Sequence, residues 1–233
     1  MKTELLLMLK RSKLPDPTVQ ELSMSNDISY LGINISRAAS DKIILSQPGF
    51  IEDILEKFPP EREYRTPHTE DLFNRPDSED NRFISNTTMF LSVLMKLMFL
   101  ALRNRPDILL AVNSLATKAK QPTYGDSSKI DRVLGYLKYT KHLKLICHVT
   151  DLSLKGYFDA SHAIYPDMKG VNGILITLGN LGFPIVCKSS KQKSVYRSST
   201  ESELGCVFTG SDLLLYIRRL CVFLCSIWVK MKP

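Results

Sequence analysis

Three acidic residues carry the chemistry that this sequence could perform. Asp159 lies in Gly156-Tyr157-Phe158-Asp159-Ala160-Ser161, and Glu201 and Glu203 lie in Ser198-Ser199-Thr200-Glu201-Ser202-Glu203-Leu204. Carboxylates are hard oxygen donors that suit Mg²⁺ or Mn²⁺. Two such ions held roughly 3.5–4 Å apart clamp the attacking and leaving oxygens of an in-line phosphodiester displacement. A carboxylate at the end of a strand and another at the start of a helix can converge on one metal. Such a site uses more than two carboxylates, so the set is incomplete. On spacing alone a plainer reading stays open. Asp159 can be a strand-end turn residue, and Glu201 and Glu203 can be acids that favour the positive end of a helix.

The elements that must position these residues are legible around them. Residues 152–158 alternate apolar and polar side chains imperfectly and lead a strand into Asp159. A second strand over 171–178 and a third over 183–187 are joined by the hairpin connection Gly179-Asn180-Leu181-Gly182. A basic loop over 188–193 follows. Ser198, Ser199 or Thr200 then caps a helix that continues through Val207, Leu213, Ile217 and Leu220.

Upstream, residues 1–11 read as a short helix broken by Pro15 and Pro17. Residues 27–36 and 42–45 read as a hairpin turning at 38–41, and 47–58 as a helix stopped by Pro59-Pro60. The charged, proline-containing stretch 61–81 reads as an exposed linker. Three helices follow, over 89–102, from 105 to about 120, and over 127–138, each with an apolar face, and then a strand over 143–149.

With 233 residues, 44% of them hydrophobic, the chain can bury a sizeable core as one or two domains. Its formal charge of +7 suits a polyanionic partner. Lys118, Lys120, Lys129, Arg132, Lys138, Lys141 and Lys144, together with Lys188, Lys191 and Lys193, could form a track for a duplex backbone, or could simply be solvated surface. Five cysteines without paired spacing argue against a secreted disulfide scaffold, and Cys221 and Cys225 read as buried thiols. The apolar run 213–229 is interrupted by Arg218 and Arg219, so a bilayer span is not expected. The expected setting is cytoplasmic or nuclear, neither secreted nor in a membrane.

Four pieces occur in a recognisable order and spacing: Tyr157, Asp159 and Ala160; Lys169 and Gly173; Ser189, Lys191 and Gln192; then Ser198 to Glu201 with Glu203. Together they resemble the ribonuclease H domain of copia-type retrotransposon Pol polyproteins. The resemblance extends upstream through Tyr30-Leu31-Gly32-Ile33-Asn34-Ile35, Leu45-Ser46-Gln47, Lys57-Phe58 and Thr66-Pro67. It continues through Leu97-Met98-Phe99-Leu100-Ala101, the stretch 105–108 and the stretch 132–140. Ser161, Cys187 and Leu204 depart from the family pattern.

The resemblance implies an α/β (α+β) fold. A palm hairpin and a helical thumb-like region would precede an incomplete ribonuclease H-like mixed sheet with one long helix. The implied segments are 1–60 (end of the reverse transcriptase palm), 61–88 (linker), 89–149 (thumb or connection) and 150–233 (truncated ribonuclease H). The implied parent activities are RNA-directed DNA synthesis and hydrolysis of RNA in RNA/DNA hybrids, with Mg or Mn. Asp159 becomes the first metal ligand and Glu203 the next, ahead of Glu201. Lys188, Lys191, Gln192, Lys193 and Ser199 become nucleic-acid contacts, and a polyprotein subunit a further partner. The family's Tyr-Val-Asp-Asp polymerase motif and its third ribonuclease H carboxylate have no counterpart in this sequence, so little catalysis is expected. The alternative is a non-catalytic nucleic-acid-binding or protein-interaction remnant.

Overall fold

The chain's apolar segments build two sheets and a helical layer between them in sequence. The computed structural model describes residues 27–39, 42–74, 82–85, 87–148 and 151–230, and the helix expected over 1–11 lies outside them. Strands β1 (Ile28–Tyr30), β2 (Ile33–Ala39) and β3 (Lys42–Ser46) form an antiparallel meander. Leu31 and Gly32 turn β1 into β2 with φ of 50° and 76°, a region that glycine enters without strain. The strand expected over 143–149 is β4 (Leu145–His148), and it completes this sheet by pairing with β3, Ile43 opposite Cys147.

Helix α1 (Pro48–Lys57) starts on a proline, whose missing N–H costs nothing in a first turn. It is followed by α2 (Thr88–Arg103), a 3₁₀ turn (Pro106–Ile108), α3 (Leu109–Ala116) and α4 (Tyr124–Tyr139). Ile51 and Ile54 of α1, Leu97 and Leu100 of α2, Val112 and Leu115 of α3, and Val133 and Leu137 of α4 are buried together in one core. Each such side chain contributes roughly 1.5–3 kcal/mol by leaving water. Leu72 and Phe73, from the stretch expected to form an exposed linker, join this core. Leu72 is 2% exposed, within a 3₁₀ turn (Glu70–Phe73). Lys118 donates to the Leu72 carbonyl, and Lys129 donates to those of Asp71 and Asn74. Within 61–74, the described part of the stretch read as an exposed linker, that reading is therefore corrected: Leu72 and Phe73 supply apolar anchors among charged neighbours.

Buried Arg105 fastens the α2–α3 junction to the end of α4. Its guanidinium pairs with Asp107 at 2.7 Å and donates to the Thr140 hydroxyl at 2.6 Å and carbonyl at 3.2 Å.

The second sheet has the order β5-β6-β7, from β5 (Leu154–Ser161), β6 (Val171–Leu178) and β7 (Phe183–Lys191), antiparallel throughout. Gly179 and Gly182 carry its tight connection at φ of 78° and 71°. Because β7 runs on to Lys191, the residues expected as a basic loop begin as strand. Lys188 pairs across from Ile174 and Lys191 from Val171.

Helix α5 (Ser199–Lys230) lies over β5, its 32 residues spanning about 48 Å against about 27 Å for an eight-residue strand. Its second half therefore leaves Tyr216, Val222 and Phe223 exposed, and Cys221 and Cys225 are half-buried rather than buried. No helix among the described residues is long and apolar enough to cross a membrane. The two units meet where the Asn113 side chain of α3 donates to the Ser189 carbonyl of β7 at 2.8 Å.

Candidate metal and nucleic-acid site

A small-residue stripe lets α5 approach the strand that carries Asp159. Ser202, Cys206 and Gly210 recur every four residues and are all buried. A Cβ at Gly210 would run into the Phe158 ring. The Cys206 thiol donates to the Asp159 carbonyl at 3.1 Å and lies 3.5 Å from the Gly173 carbonyl. Four helical residues rise about 6 Å and two strand residues about 6.6 Å, so the two elements stay in step. Gly210 meets Phe158 and Leu214 meets Gly156, so α5 runs antiparallel to β5. Glu203 stands one turn before Cys206 and is exposed.

Along β5 the side chains alternate, half-buried at Gly156, Phe158 and Ala160 and exposed at Tyr157, Asp159 and Ser161. The half-buried set packs with α5, so the Asp159 carboxylate leaves the strand on the other face. Asp159 and Glu203 thus flank the edge strand β5 from its two sides. Neither carboxylate has a hydrogen bond or ion pair among the described residues. Glu201 differs. Its carboxylate accepts from the Arg197 backbone N–H at 2.8 Å, while its own N–H donates to the Ser198 hydroxyl at 3.2 Å. These two bonds, to neighbouring residues 197 and 198, close the start of α5. Glu201 is therefore occupied at the helix start and Glu203 is free. No group of three or more His, Cys, Asp or Glu side chains suited to a metal forms among the described residues.

The basic residues expected around the site separate into distinct environments. Lys188 and Lys193 are exposed, as is Ser199 at the start of α5. Lys191 pairs with Asp167 at 2.8 Å and sits 4.3 Å over the Tyr165 ring. That hydrogen bond holds the Asp167 carboxyl below the usual carboxylate range. Gln192 is 4% exposed. Its amide N–H groups donate to Asn172 at 2.8 Å and Ser202 at 2.6 Å, and its carbonyl accepts from the Gly170 N–H at 3.1 Å. Gln192, expected as a nucleic-acid contact, uses both its donors and its acceptor in tying β6, the 162–170 loop and α5 together.

Comparison with known proteins finds relatives among transposon polyproteins. The chain is 35% identical over 136 residues to the retrovirus-related Pol polyprotein from transposon RE1 of Arabidopsis thaliana, covering 58% of this chain and 9% of that protein. It is 30% identical over 193 residues to the corresponding polyprotein from transposon TNT 1-94 of Nicotiana tabacum, covering 79% of this chain and 14% of that one. The chain is similar to the Pol polyproteins of copia-type transposons. A further match, to the putative transposon Ty5-1 protein of Saccharomyces cerevisiae, is 29% identical over 227 residues and covers 92% of this chain and 71% of that one. The match thus spans about a tenth of the RE1 polyprotein's length, at 9%. No family model matches it, and neither does any solved structure.

The motif reading singled out Asp159 and Glu203, which are exposed, and did not foresee the buried hydrogen bonds of Gln192. A glycine inside a strand is the signal for close approach of another group, and Gly156, pressed against the Phe158 ring, carried it.

Proposed function

We propose that this Pol segment comes from the reverse transcriptase–ribonuclease H part of its polyprotein and that its 154–230 unit binds RNA/DNA hybrids. The supporting observation is the Cys206–Asp159 contact. It sets an exposed, uncommitted Asp159 beside the helical turn that carries an exposed, uncommitted Glu203. Each is a hard-oxygen donor suited to Mg²⁺ or Mn²⁺ and would hold an ion on its own side of β5 together with phosphate oxygens of the hybrid, while Glu201 caps the helix. When bound, such an ion supplies Lewis-acid stabilisation to a phosphoryl oxygen. Two carboxylates are fewer than a two-metal hydrolytic site uses, so hybrid binding ranks ahead of cleavage. Lys188, Lys193 and Ser199, all exposed near the same end of the sheet, are the phosphate contacts.

The test is fluorescence anisotropy of a labelled RNA/DNA hybrid across a salt series, with cleavage followed in Mg²⁺. Affinity that falls steeply with salt supports the reading. Absence of binding at low salt sinks it. A second reading, docking against another polyprotein subunit, draws on the exposed Tyr216, Val222 and Phe223 of α5 and would appear as stable self-association or capture of a co-expressed Pol segment.

A further inference from the structure

Helix α5 carries a second apolar stripe, on the side turned away from the sheet. Its sheet-facing residues are Ser202, Cys206, Gly210, Leu214 and Ile217. At about 100° per residue, Leu204, Phe208, Leu215 and Val222 fall on the opposite side. They are 64%, 72%, 51% and 63% exposed. None of the four belongs to either apolar core, so the fold of the chain does not require them to be apolar. Phe208, Leu215 and Val222 recur every seventh residue, the repeat that holds apolar side chains on one seam between two packed helices. From Leu204 to Val222 the stripe runs about 27 Å. A contiguous exposed stripe of this kind marks an interaction surface.

The charges along α5 select what covers the stripe. Its acids, Glu201, Glu203 and Asp212, all precede its bases, Arg218, Arg219 and Lys230. A second α5 laid antiparallel therefore sets the acidic half of each helix against the basic half of the other. Position round the helix agrees. Glu201, Asp212 and Arg219 all lie about 40–60° from Leu215 on one flank of the stripe, and Arg218 lies about 60° away on the other flank. In an antiparallel pair about a two-fold axis, each flank meets the same flank of the partner. With Leu204 of one copy level with Val222 of the other, Arg219 comes level with Val207, between Glu201 and Asp212. A parallel pair brings opposite flanks together, so Arg219 of one copy would meet Arg218 of the other, like charge on like. The exposed Asp212 and Arg219 thus make α5 complementary to itself in the antiparallel sense alone.

We infer that α5 pairs antiparallel with α5 of a second copy of this chain through Leu204, Phe208, Leu215 and Val222, with Glu201 and Asp212 of each copy beside Arg219 of the other. This rests on the docking reading above and names its partner. The test is sedimentation velocity of the full chain over a concentration series at low salt. The unaltered chain is expected to form a reversible dimer. Leu215→Glu is expected to raise the dimer dissociation constant about tenfold or more. Asp212→Arg is expected to raise it severalfold, and adding Arg219→Glu to that variant to return it toward the unaltered value. The charge variants change only exposed side chains and carry the test should Leu215→Glu fail to fold. A dimer indifferent to Leu215→Glu, or one that the second charge reversal does not restore, overturns the inference. A monomeric chain that captures a co-expressed Pol segment, with capture lost in Leu215→Glu, overturns it while leaving the docking reading intact. A monomeric chain that captures none overturns both.

Discussion

The Cys206 thiol of α5 donates to the backbone carbonyl of Asp159 at 3.1 Å. The strand bearing the candidate metal ligand is thereby fastened to the helix bearing the other at the ligand's own residue. Burial pushes the Cys206 thiol up from its ordinary pKa, so it stays protonated and keeps its donor. Cys206→Leu overfills this fully buried position and is expected to cost about 1–3 kcal/mol. It should also weaken hybrid binding, whereas Cys206→Ser keeps a donor and should retain it. Denaturant melts and anisotropy on both variants provide the check.

Gln192 is expected to be a stability residue. Replacing it with Leu removes the partner of Asn172, Ser202 and the Gly170 N–H at once. Buried groups left without partners cost about 1–3 kcal/mol. The expected outcome is a lowered urea midpoint, with α5 less protected in hydrogen exchange than α4. An unchanged midpoint would contradict the role assigned to the Gln192 amide.

A buried ion pair makes the helical unit acid-sensitive. Lys118 and Asp126 lie 3.0 Å apart, with side chains 8% and 2% exposed, and Asp126 also closes the Thr123 capping box. Burial would by itself raise the Asp126 carboxyl. The Thr123 backbone N–H and the Lys118 ammonium outweigh it and hold the pKa below the ordinary value. A depressed folded-state pKa contributes stability that is fully present above the unfolded value of about 4 and is lost as pH falls through the folded value. The chain should therefore lose stability below about pH 4, and Asp126→Asn should flatten that dependence. Asp126→Ala, which strands the Lys118 charge, is expected to cost about 3–5 kcal/mol near neutral pH.

The basic residues should not be equivalent. Lys193→Glu alters an exposed side chain and is expected to weaken hybrid binding and reduce the salt slope by about one, with little change in Tm. Lys191→Glu breaks the pair with Asp167 and the contact with the Tyr165 ring, so its Tm should fall as well. Thermal melts beside the salt series separate the two effects.

What the sequence revealed follows the range of the forces involved. Residues 171–178 were readable as β6 because Val171, Ile174, Leu175 and Ile176 run into the Gly179 turn. The start of α4 was set too late, because Thr123 and Asp126 close their capping box before Ser127. The partner of β4 was not readable. Its ladder with β3 joins Lys42 to His148, and no local pattern encodes a pairing that distant. Leu72 was hidden for a similar reason, since its charged neighbours mask an anchor whose burial depends on Lys118 and the helices around it. At the candidate site, motif order identified Asp159 and Glu203. The alternation along β5 that turns Asp159 away from α5, and the cap that occupies Glu201, became visible only with the register and hydrogen bonds in place.

The measurement that bears most directly on the site is the Mg²⁺ dependence of hybrid affinity, compared between the unaltered chain and Asp159→Asn with Glu203→Gln. Mg²⁺ is expected to tighten binding severalfold in the unaltered chain, at constant ionic strength, and to have no effect in the double variant. The same Mg²⁺ response in both proteins would show that these carboxylates do not hold the ion. It would contradict the assignment of Asp159 and Glu203 as its ligands.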